Sequence, residues 1–151
     1  MKPLWIVLGA VVLLCCGGGL FLGSRVFMAA KDTVEGSMQY GDESLKAVAA
    51  SWSAAELKTR MSKEVFEQNP ESAIDNVATV LKEALGPIKP ETLKSKILGV
   101  NAKTDSNTGS FTIANYEAEA QFEKGKGQVT MELINRDGQW KILKFNGKKV
   151  D

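Results

Sequence analysis

Four carboxylates recur in the second half of the chain: Glu117, Glu119 and Glu123 on one parity, and Glu132 further on. Alternation places the first three on one face of a strand. Such a cluster could bind a cation or a basic partner, and a catalytic acid pair would need a pocket that raises one pKa. The residues between them are apolar, so the same pattern describes the solvated outer face of a sheet, paired with lysines such as Lys124 or Lys141. Asp105, Asn107 and Gly109 mimic the start of a calcium loop, but Tyr116 stands where the closing Glu is required, and a plain turn is expected. Ser51, Ser53 and Ser62 have no base to activate them, because the chain has no histidine. Gly125-Lys126-Gly127 is too short to cradle a phosphate. These residues imply no cofactor, no metal and no catalytic set.

A second kind of site would rest on shape. Ala118 and Ala120 are small residues between Tyr116 and Phe122 on one strand face. With Met131 and Trp140 they could floor a cavity, walled by Met61 and Leu81, for a small apolar ligand. The same alanines equally allow a helix to dock closely and fill the space, as interiors normally do.

The elements that position these residues follow from periodicity. Asp42 reads as an N-cap ahead of Leu45, Val48, Ala49 and Trp52. Ser53 and Glu56 have capping-box spacing ahead of Leu57, Met61 and Val65. These two segments could form one bent helix. A third helix starts at Asn69-Pro70, carries Ile74, Val77, Ala78, Leu81 and Leu85 on one face, and stops at Gly86-Pro87. Beyond Pro90 the period becomes two. Leu98, Val100 and Ala102 define a first strand, and the run from Phe111 to Phe122 a second, with a parity switch near Asn115. Val129, Met131 and Leu133 define a third. The turn at Asp137-Gly138 leads to a fourth with Trp140 and Ile142 inward. Helices followed by an antiparallel meander predict an α+β fold with helices on a curved four-stranded sheet.

The amino terminus carries a different signal. Residues 4–23 contain no charge and, as a helix, match a hydrocarbon core of about 30 Å. Trp5 sits near one end, at a position suited to a membrane interface. The expected anchor therefore includes Leu4, Trp5, Gly19 and Gly23, and the G-x-x-x-G spacing of the two glycines admits self-association. A processed signal fits less well, because the apolar run continues past Cys15 and Cys16 and no A-x-A site follows. The expected organisation is a transmembrane anchor at 1–25, a juxtamembrane linker at 26–41 and a domain at 42–151. Lys2 nearly balances Arg25 and Lys31, so the extracytoplasmic placement of the domain rests on architecture rather than charge. Without Lys2 the chain has as many acids as bases, which leaves no electrostatic footprint for nucleic acid.

The stretches "LKEALGPIK" and "YEAEAQFEKGKGQVTMELINRDGQWKILKF" resemble the small cystatin-like and NTF2-like domains found tethered to bacterial membranes. The resemblance implies a helix-backed curved sheet. Enzymes of that wider group place Asp and His in a cone-shaped pocket; this chain has no His, so no catalytic residue carries over. A pilin-like subunit is also similar in outline, but its apolar segment carries a Glu that this one lacks. The expected function is a non-enzymatic, membrane-anchored domain that binds a protein partner or assists assembly of a membrane complex. A small-ligand module is the alternative, and a pilin-like subunit the third reading.

Overall fold

The computed structural model describes residues 31–150. Residues 31–49 are helical, and the compact unit begins at Gly36, so its first helix, α1, is 36–49. Three more helices follow: α2 (Ala54–Arg60), α3 (Lys63–Gln68) and α4 (Glu71–Leu85). A 3-10 turn at Pro90–Thr92 leads into β1 (Lys94–Asp105), β2 (Gly109–Phe122), β3 (Gly125–Arg136) and β4 (Gln139–Lys149). The strands form one antiparallel sheet in sequence order, so β1 and β4 are its edges. Helices on one sheet, with an antiparallel meander, make the α+β class.

One part of the expected fold is corrected. The fold was expected to include an N-terminal transmembrane helix, yet among the described residues no helix is long and apolar enough to cross a membrane. The helical stretch 31–49 is too polar, with Asp32, Glu35, Asp42, Glu43 and Lys46 along it. The anchor residues Leu4, Trp5, Gly19 and Gly23 lie outside the described residues. The linker expected up to residue 41 is helical from residue 31 onward. Gly41 does not break that helix. A Cβ there would lie 2.4 Å from Tyr116 Cδ2, so the glycine lets α1 press onto the ring. Asp42 is correspondingly no N-cap; it sits inside α1 and accepts a hydrogen bond from the Tyr116 hydroxyl at 2.7 Å.

Of the other helix signals, the Ser53 cap and the Gly86 stop are met, but Asn69 closes α3, its Nδ2 donating to the Val65 carbonyl at 3.1 Å, and Pro70 takes the N-cap of α4 in its place. Ser53 Oγ accepts from the Glu56 amide at 3.2 Å and opens α2. The predicted run through Val65 is interrupted at Met61, whose extended backbone forms a parallel bridge to Ile142, while the Ser62 amide donates to the Ile142 carbonyl at 2.8 Å. This tertiary pairing divides what the apolar period alone reads as one helix into α2 and α3. Helix α4 buries Ile74, Ala78, Leu81 and Leu85, as the spacing predicts, and is capped at Gly86. Between α1 and α2, Trp52 takes φ 52°, a conformation unusual for a bulky residue. Its indole is held there by a 2.6 Å bond to the Gly86 carbonyl and by stacking on Phe122 at 5.9 Å.

In the sheet, β2 and β3 pair without a register shift. The parity switch near Asn115 is not a bulge in β2. Ile113 and Ala114 are both buried on opposite faces, and Ile113 pairs with the buried Ile134 outside the main core. The bulge lies in β1 at Leu98, opposite Tyr116 and Asn115. Leu98 is therefore 59% exposed rather than core-facing, and Ile97 and Val100 pack inward instead. A second bulge, at Leu143 in β4, returns Phe145 to the helix side.

Candidate functional site

The residues singled out for a cavity are brought together, but as core. Tyr116, Ala118, Ala120, Phe122 and Met131 are each at most 4% exposed and belong to one apolar cluster; Trp140 is half-buried at its margin. Cross-strand pairing aligns Tyr116 with Met131 and Ala118 with Val129. Helix α1 covers Tyr116 and Trp52 covers Phe122. Burial, with the Asp42 carboxylate beside it, pushes the Tyr116 phenol far above its usual range. Nearby, the Tyr40 hydroxyl donates to the Arg60 carbonyl at 3.1 Å, and burial raises its pKa as well. These polar groups fasten α1 and α2 to the core.

The acidic row is the outer face of the sheet, as alternation allows, but its partners differ from those expected. Glu117 pairs with Lys96 (2.9 Å), Glu119 with Lys126 (2.8 Å) and Glu132 with Lys144 (3.1 Å). Lys124 and Lys141 instead donate to the Glu83 and Thr59 carbonyls. Asp105 closes its turn by accepting from the Asn107 and Thr108 amides at 2.7 and 3.1 Å. Ser53 caps a helix and Ser62 donates to Glu64. Among the described residues no group of three His, Cys, Asp or Glu side chains could hold a metal ion.

Among the open surfaces, one with a largely apolar lining is a groove of about 340 Å³ between α3, α4 and β4. Met61, Val65, Ile74, Val77 and Phe145 give it an apolar floor, with Asn69 and Asn146 at its rim. Gly147 lets β4 pass close under α4, since a Cβ there would lie 2.8 Å from Leu81. On α4 the apolar surface continues one turn beyond Val77 to Val80, which is 60% exposed. Phe66 on α3 is also exposed.

Charge around the groove is uneven. On the helix side Lys58 holds both Glu71 (3.3 Å) and Asp75 (2.8 Å), and its pKa is raised chiefly by the Asp75 hydrogen bond. Glu64 is taken by Arg136, which also lies over the Phe111 ring. Glu67 is left exposed on α3. On the strand side Lys144, Lys148 and Lys149 are all exposed, and the last two have no ion pair among the described residues.

Hydrophobic periodicity finds Met61, Val65, Ile74 and Val77 but assigns them all to the core. One signal could have marked the groove: Ala73, Val77 and Val80 form a second apolar stripe on α4, offset from the buried one. No protein-family model matches this chain, and no curated protein matches it either.

Proposed function

We propose that this chain is a non-enzymatic interaction domain whose groove between α3, α4 and β4 binds a protein partner. The observation that carries the reading is the groove itself: an apolar floor left uncovered in a domain whose other apolar face is filled by α1 and Trp52. An uncovered apolar surface bordered by charge is the usual form of a protein contact. The reading gains support from the polar side chains: Ser53 is spent on a cap, Asp105 on a turn and Ser62 on the Glu64 carboxylate.

The test is site-specific photocrosslinking of the full chain in its native host. A photoreactive residue at position 77 or 80 should give one discrete adduct of higher mass. The same residue at position 98, equally exposed but on the opposite sheet edge, should give none. Absence of adducts from 77 and 80, or equal labelling from 98, would remove the proposal.

A further inference from the structure

We infer that the groove receives an extended segment of its protein partner, added as a fifth strand along β4 and alternating apolar with acidic side chains. This rests on the interaction reading above and names the partner's chemistry. The first observation is the direction of the β4 backbone. The Ile142 carbonyl accepts from Ser62, so it points away from β3. The Val150 amide donates to the Lys126 carbonyl, so it points toward β3. Antiparallel pairing alternates, and the bulge at Leu143 shifts the parity once. Phe145, Gly147 and Lys149 therefore turn their amides and carbonyls outward. The Gly147 amide confirms this: it is satisfied by Asn146 Oδ1 at 2.9 Å rather than by a strand. The molecule already adds one bridge to this edge, at Met61, and then leaves the edge open.

The second observation is what lies on either side of that edge. A strand paired to β4 would point alternate side chains into the groove lined by Met61, Val77 and Phe145, which asks for apolar groups. Its other side chains would lie beside Lys144 and Lys148 on the outer face, which ask for acids. The two faces together specify the alternation. Charge also decides between a different protein and a second copy. Two β4 edges pairing about a two-fold axis would gather Lys144, Lys148 and Lys149 of both copies along one seam, and like charges close together across strands destabilise pairing. Lysine on an edge strand also deters aggregation. That role needs no apolar groove next to the edge.

The experiment uses the full-length chain in mild detergent and three labelled peptides of about nine residues, enough to span the open stretch of β4. One alternates Val with Glu, one alternates Val with Lys, and one is the Val/Glu peptide N-methylated at alternate residues. Fluorescence anisotropy should show the Val/Glu peptide binding about tenfold or more tightly than either of the others, because the second lacks the charge and the third the backbone donors. Hydrogen exchange should slow at Phe145 and Lys149. Val80→Asp, at an exposed site, and Lys148→Glu should each weaken binding several-fold while the circular dichroism spectrum stays unchanged. Equal binding of the Glu and Lys peptides, indifference to N-methylation, or no binding by any of them overturns the inference. So does a concentration-dependent dimer that protects Phe145 and Lys149 in the absence of peptide. Crosslinks from positions 77 and 80 that persist after such a result would leave the interaction reading standing and remove only the strand.

Discussion

One helical layer covers the sheet, yet its two halves finish differently. Where α1 crosses β2, backbone and ring meet at the closest approach a glycine permits, and the Tyr116 hydroxyl ends on Asp42. Where α4 crosses β4, the helix presses down at Gly147 but leaves Val77 lining an open groove beside an unpaired strand edge. The first half spends its apolar and polar groups on each other. The second leaves an apolar floor, the outward backbone of Phe145 and Lys149, and the side chains of Lys148 and Lys149 with nothing set against them among the described residues. Within one domain, the fastened half holds the fold and the unfinished half is available for contact.

The sharpest way to break this contrast is to add bulk to both halves. Gly41→Val forces two methyls into the Tyr116 ring, and either α1 lifts or the ring leaves its place. We expect a loss of about 3 kcal/mol, the upper range for overpacking a core, read by chemical denaturation. Ala73→Val adds two carbons, against three at Gly41, and adds them to the open groove. It should cost less than about 1 kcal/mol, mostly through helix propensity. Similar costs at the two sites would mean that the groove is as closed as the core.

Next in size is Tyr116→Phe. It removes one bond to a carboxylate but little volume, for an expected loss of about 2 kcal/mol. This variant also has a signature in pH. The Tyr116 phenol titrates well above its ordinary value of 10.0 in the folded chain, because burial and the Asp42 carboxylate disfavour the phenolate. Below pH 10 both states hold the proton and stability does not respond. Above pH 10 the unfolded chain releases the proton first, so stability falls as pH rises. Tyr40, raised for the same main reason, adds to that alkaline limb. Unfolding midpoints between pH 9 and 11 should fall less steeply in Tyr116→Phe than in the parent. An equal slope would show that the phenol is not held neutral by its burial.

What the sequence makes legible tracks how local each cause is. The alternation from Tyr116 to Phe122, the stop at Gly86 and the Asp137-Gly138 turn, with both residues at positive φ, depend on neighbours a few residues away. Each is read correctly from the chain. Asp42 looks like a cap because caps are local, but its partner is 74 residues distant. Gly41 looks like a breaker because glycine usually is one, and only the approach of Tyr116 explains it. Met61 continues an apolar stripe, yet Ile142 pulls its backbone out of the helix. The groove is the least legible feature. Val77 and Val80 are visible as letters, but β4 is open only because the strands pair in sequence order and leave it at the edge. That is a property of the whole sheet and of no single segment.

The smallest expected effect on stability probes the unfinished half most directly. Asn146 is exposed, and its side chain accepts from the outward amide of Gly147 in β4. Asn146→Ala should change stability by no more than about 0.5 kcal/mol, as exposed substitutions usually do. Exchange of the Gly147 amide with solvent should nevertheless quicken, because nothing else among the described residues accepts from it. The same variant should bind the Val/Glu peptide somewhat more tightly, since the incoming strand no longer has to displace an internal bond. If the amide stays protected, another group covers this edge, and the two halves of the helical layer are equally closed.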